Sequence, residues 1–180
     1  MRVFRSFNSK DGFNLIEAAI VLGIVGLVVG GIWAAASAAY ENMRQQTASK
    51  NVLAFAQAIK NFYANSGVTT IATAEATLIN MGVVPKDMVS GTNRINHPWT
   101  NHQNSIVNLT SANSLFTISF WGVPTTSCSA LVSRNGNSSS GLIAAISVDG
   151  TNVTNYSNPT QCTSGSAGTK RVGFIFSIQG

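Results

Sequence analysis

Charge is what this sequence has least of. Only 9% of its 180 residues are Asp, Glu, Lys or Arg. Beyond residue 12 the acids are Glu17, Glu41, Glu75, Asp87 and Asp149, so dispersed that no two carboxylates stand ready for acid–base work. There is no Ser/His/Asp pattern, phosphate-binding glycine loop or Cys/His cluster beside them, which argues against an enzyme. His97 and His102 lie five apart in a polar loop with no Cys, Asp or Glu nearby, and read as solvated loop residues rather than metal ligands. No cofactor is expected. Proline is scarce too, four in all and none from residue 13 to 66, so nothing in that stretch forces a helix to break. The formal charge of +5 falls to +3 without residues 1–12, where Arg2, Arg5, Lys10 and Asp11 reside. That bias is too weak to argue for nucleic acid, which stays open as a partner without support.

What is present begins with an uncharged run over residues 18–40, bounded by Glu17 and Glu41. At about 1.5 Å per residue, a helix of this length reaches roughly 35 Å, enough to cross the hydrocarbon core of a bilayer. A carboxylate in such a segment costs about 2.5–3.5 kcal/mol even on a permissive insertion scale, so Glu17 should have a cationic partner. The candidate is an amine, created at Phe13 by cleavage after Gly12. Residues 1–12 are polar and basic, which keeps them cytoplasmic while the helix spans the membrane and the rest faces outward. A secretory signal cut near Ala34-Ala35-Ala36 or Ala36-Ser37-Ala38 is the competing reading. The apolar run is long for that, and an acid stands at its head where basic residues belong.

Within the run, Gly26 and Gly30 form a small-xxx-small pair that lets helices approach closely, while Gly30-Gly31 is where a bend or loosening is expected. Beyond it, Val52, Phe55, Ala56, Ile59, Phe62 and Tyr63 recur at helical spacing as one buried stripe. A single helix over residues 13–66 follows, with an apolar half (13–40) and an amphipathic half (41–66), ended by Ser66-Gly67. Residues 67–104 read as a connection carrying a short helix over 74–81, with Trp99 as a plug over the helix or sheet. Strand signals then recur at residues 105–109, 115–121, 142–148 and 171–178, with a short helix over 128–133. The expected fold is α+β: a long N-terminal helix packed on an antiparallel sheet formed by residues 105–180. Cys128 and Cys162 both fall in the outward-facing part, where a disulfide is the natural state. Asn108-Leu109-Thr110, Asn137-Ser138-Ser139 and Asn152-Val153-Thr154 match glycosylation sequons, a pattern that arises freely in a chain so rich in Asn, Ser and Thr.

The junction Lys10-Asp11-Gly12-Phe13-Asn14-Leu15-Ile16-Glu17, with its long apolar helix, resembles the processing site of type IV prepilins. Asp11 departs from the basic residue often found there. The short leader and Phe13 look like type IVa. By contrast, Met81-Gly82-Val83-Val84-Pro85 and the layout from Phe120-Trp121-Gly122-Val123-Pro124 to Cys128 look like a type IVb major pilin. The resemblance implies a pilin-like roll whose disulfide-bounded region, residues 128–162, is exposed on a filament. It also implies a prepilin peptidase that cuts after Gly12 and N-methylates Phe13, and an assembly ATPase and inner-membrane platform protein that add subunits drawn from the inner membrane. On this reading the chain is a structural subunit that polymerises with itself into an extracellular pilus, with Glu17 setting subunit registry. The alternatives are a pseudopilin of a type II secretion system and a membrane-anchored binding module that never polymerises.

Gly12→Asp should leave the leader attached and abolish filaments. Intact mass of material sheared from the cell surface measures this, and a native protein beginning near Ser37 or Ala39 would instead identify a secretory signal.

Overall fold

The computed structural model describes residues 14–64, 71, 74–91, 93–99, 107–112, 114–137, 141–163 and 168–178. Helix α1 runs unbroken over Leu15–Tyr63, so the loosening expected at Gly30-Gly31 does not interrupt it. Asn14 opens the helix, its Oδ1 accepting a hydrogen bond from the Ile16 N–H at 3.4 Å, and Glu17 stands in the first turn, where a carboxylate complements the helix dipole. The proposed stop at Ser66-Gly67 lies outside the described residues. Two compact units divide the chain, one ending at Tyr40 and the other running from Glu41. In the first, every large apolar side chain of α1 is exposed; the second contains the core.

The core is built where the stripe of α1 meets the sheet. Ala48, Val52, Phe55, Ala56, Ile59 and Tyr63 are buried, together with the polar Gln45 and Asn51, which helical spacing of apolar residues could not reveal. Phe62 departs from expectation. It is 48% exposed, because it sits about 60° round the helix from Ile59 and about 100° from Tyr63, at the edge of the stripe, and its ring lies edge-on to Tyr63 at 5.2 Å. Burying a residue such as Phe55 or Ile59 contributes about 1.5–3 kcal/mol, so this half of the helix is held by packing rather than by its own propensity.

The connection holds α2 (Glu75–Asn80), a 3-10 turn (Lys86–Met88), and a two-stranded antiparallel pair, β1 (Val89–Ser90) with β2 (Arg94–Ile95). Among the described residues the main sheet has five antiparallel strands rather than four: β3 (Val107–Ala112), β4 (Leu115–Pro124), β5 (Ile143–Val148), β6 (Thr151–Asn152) and β7 (Thr169–Ser177), in the order β3-β4-β7-β5-β6. The C-terminal strand is central. Its inward residues Val172, Phe174 and Phe176 lie between Phe116, Ile118 and Phe120 of β4 and Ile146 and Val148 of β5, all essentially inaccessible. Phe116 stacks on Phe176 at 5.2 Å and Phe120 meets Phe174 edge-on at 5.8 Å. Strand β6, too short to read from alternation, exists because Asp149 and Gly150 adopt φ of 51° and 88°, the two left-handed positions of a tight hairpin turn.

Helix α3 (Thr125–Gly136) extends the expected segment at both ends, and α4 (Thr160–Thr163) follows the loop after β6. Cys128 and Cys162 form a disulfide between α3 and α4, with their Cα atoms 5.7 Å apart. Two further ties hold the intervening loop: Ser133 Oγ donates to the Tyr156 carbonyl at 2.7 Å, and the Tyr156 ring lies so close over Gly136 that a β-carbon there would sit 2.3 Å from it. Asn135 joins α3 to α1 by donating to Ser49 Oγ at 3.0 Å.

His97 corrects the solvated-loop reading. It is 5% exposed, stacked on Phe120 at 5.1 Å and tilted toward Trp99 at 6.0 Å. His102 lies outside the described residues. Trp99 does pack against the core, and its indole N–H donates to Glu41 Oε1 at 2.7 Å. Ser127 Oγ donates to the same carboxylate oxygen, and Arg44 approaches Oε2 at 3.9 Å. Glu41 therefore gathers α1, the residue 97–99 loop and the start of α3 on one carboxylate.

Burial pushes the His97 imidazole down to about 4, against a smaller opposing effect of a hydrogen bond with the Trp121 backbone. The unfolded chain therefore binds this proton more readily than the folded one. Stability is fully present above about pH 6.5 and declines as pH falls toward 4, by about 3 kcal/mol for a shift of this size. Thermal melts of the detergent-solubilised chain between pH 7 and 4.5 should show this slope, and His97→Phe, which keeps the ring stack, should flatten it. An unchanged slope in the variant would assign the acid sensitivity to other groups.

Either Cys128→Ser or Cys162→Ser should lower stability by about 3–4 kcal/mol on the chain-entropy account of a loop this long, and reduce the steady-state level of the protein. Thiol labelling of the denatured, unreduced native chain should find no reactive cysteine; two would contradict the disulfide.

Candidate assembly surface

The surface that the chain cannot satisfy alone is the first part of α1. Leu15 is 85% exposed and Leu27 79%, and Ile16, Leu22, Ile24, Ile32 and Trp33 are likewise exposed. An 18-residue window of α1 reaches a mean hydropathy of 2.5 with none of it buried, long and apolar enough to cross a membrane. A continuous apolar surface of this kind requires lipid or other apolar helices around it.

The residues singled out in the sequence are distributed unevenly over this surface. Gly12 and Phe13 lie outside the described residues. Glu17 is exposed on the first turn, the one acid between Asn14 and Tyr40. On this apolar helix surface it is the one formal charge from Asn14 to Tyr40. Gly26 and Gly30 have open space where β-carbons would stand, so among the described residues nothing packs into the notch they make. Cys128 and Cys162 are brought together, well away in sequence from this helix, in the region capped by α3 and α4.

Glu41 is the site residue that sequence reasoning passed over, marking it only as the end of the apolar run. Its signal was present but indirect: a tryptophan close to a core needs an acceptor for its N–H, and acids are few. Which acid supplies it depends on a contact across 58 positions. A second group, Asp149, holds the turn after β5, accepting from the Arg171 backbone N–H at 2.9 Å and pairing with the buried Lys170 at 3.2 Å.

Comparison with known proteins fits this architecture. The family model of bundlin matches residues 36–177, most of the chain. The toxin coregulated pilin of Vibrio cholerae serotype O1 is 29% identical over 134 residues, a match that takes in 71% of this chain and spans 59% of that relative's length. Among solved structures, the crystal structure of TcpA, a type IV pilin from the El Tor biotype of Vibrio cholerae, superposes with a TM-score of 0.51 at 19% identity. That superposition covers 75% of this chain and 99% of the other, and likens the two in fold. The family match also decides between the two leanings of the sequence, siding with the layout around Cys128 over the short leader. With its long helix, antiparallel sheet and disulfide-bounded C-terminal region, this chain belongs to the bundlin family, and so to the type IVb-like pilins.

Proposed function

We propose that the chain is the major structural subunit of a type IV pilus, held in the inner membrane by the first part of α1 and then polymerised through that same helix. The observation that carries this is the unburied apolar stretch of α1 in a chain whose other unit has a complete core. An apolar helix that serves lipid before assembly serves equally well in a bundle of its own copies afterwards, because both surroundings exclude water. The N-terminus stays cytoplasmic until a prepilin peptidase cuts after Gly12 and N-methylates Phe13. An assembly ATPase and an inner-membrane platform protein then move the subunit into the filament.

Glu17 acts in this scheme as the registry device. In the bundle, the amine of Phe13 on an incoming subunit approaches the Glu17 carboxylate where water is excluded. Removing either partner there leaves a buried charge uncompensated, at about 3–5 kcal/mol. Gly26 and Gly30 provide the close approach of helices that such a bundle needs. The disulfide-bounded region supports a pilus subunit over a secretion pseudopilin, since it adds a stapled outer segment with little core of its own.

Glu17→Val should yield a cleaved, stable, membrane-resident protein that does not polymerise on its own, although the substitution is friendlier to lipid. Electron microscopy of cells expressing only this variant tests it. Filaments of normal number and length would show that this charge does not set assembly, and a chain that remains monomeric even without the substitution would point to a membrane-anchored binding module.

A further inference from the structure

The face of the sheet turned away from α1 carries a groove of about 270 Å³, whose lining includes Thr117, Ser119, Trp121, Ser147, Asn152 and Arg171. Its construction is unlike the rest of the sheet. Strand β7 has a glycine, Gly173, at its middle, where a β-branched or aromatic residue would be favoured. A β-carbon at that position would lie 2.6 Å from Ser147 Oγ, 3.1 Å from Thr117 Cγ2 and 3.2 Å from Ser119 Oγ, so side chains of the two flanking strands close over the bare backbone. They form a level floor rich in hydroxyl groups.

At one end Arg171 stands over the Trp121 ring, 4.9 Å from its centroid, and Trp121 keeps 40% of its surface exposed. The turn also lies beside the guanidinium, since a β-carbon on Gly150 would come within 2.9 Å of Arg171 Nη2. The group thus borders both an aromatic face and a backbone turn. Among the described residues it forms no ion pair. The neighbouring carboxylate, Asp149, is turned to the Arg171 backbone N–H and to the Lys170 ammonium. Among the described residues no acid lines the groove. A planar, oriented guanidinium suits a carboxylate. A floor of hydroxyls with one amide suits a ligand that both donates and accepts along its length, and the exposed aromatic suits an apolar ring face.

We infer that this groove binds an acidic saccharide, with the carboxylate of the sugar on Arg171 and its hydroxyls on Ser119, Ser147 and Asn152. The site lies within one subunit, so binding does not depend on polymerisation.

The test is a saturation-transfer NMR titration of the full-length chain in detergent micelles with three probes: sialyllactose, lactose and acetate. Sialyllactose should bind at least tenfold more tightly than either of the others. Arg171→Gln should remove that preference while leaving the weak lactose signal as it was. Asn152→Ala, on an exposed two-residue strand, should weaken sialyllactose several-fold with no change in the melting curve, and decides the matter should Arg171→Gln fail to fold. Equal affinity for lactose would overturn the acidic ligand, equal affinity for acetate would reduce the site to a simple anion contact, and wild-type binding by Asn152→Ala would place the saccharide elsewhere.

Discussion

The packing of one helical stripe against one aromatic sheet face is the interaction on which the rest of this structure depends. Val52, Phe55 and Ile59 share one buried cluster with the inward residues of β4 and β7, which Leu78, Met88 and Ile95 of the connection complete. Neither element is stable alone: a helix gains little from propensity in water, and a sheet with one bare Phe-rich face would aggregate. Their mutual burial also dictates the strand order. Placing β7 at the centre puts Phe174 and Phe176 where neighbours on both sides and the helix above exclude water, a burial that an edge strand could not achieve.

Around that core, polar residues fasten elements that have too little apolar surface to hold themselves. Glu41 joins α1, the residue 97–99 loop and α3; Asp149 with Lys170 and the Arg171 backbone pins the β5–β6 hairpin to β7; the disulfide joins α3 to α4. In a chain with so few charges, each of these acids has a specific position to hold. The outer segment from α3 to α4, rich in Ser, Asn and Gly, gains its order from these ties and from the close seat of Tyr156 on Gly136, where any larger residue would collide with the ring.

The same economy of charge distinguishes the apolar part of α1. Its surface carries a single formal charge, Glu17. In the filament proposed above, a single group of high desolvation cost would disfavour alignments that leave it unpaired. Meanwhile the sheet's far face, free of the helix, keeps the hydroxyl groups and the stacked arginine that a helix-covered face could not tolerate.

Residue patterns alone were enough for the long helix, the four longer strands and the cysteine pair, because each rests on local or periodic chemistry: steps of three and four, alternation, and two thiols with only each other to find. Bounds of strands and the exact members of the stripe shifted, as with Phe62, because a periodic signal does not say where a surface ends. Tertiary structure alone decided what depends on distant partners. It made β7 the central strand, buried His97 beneath Phe120, brought Trp99 and Ser127 to Glu41, and left Gly173 bare under converging side chains. Each is a contact between residues tens of positions apart, and no local pattern encodes which distant group will arrive. Burial then changed the chemistry of His97, turning an ordinary loop histidine into a neutral core residue whose protonation opposes the fold.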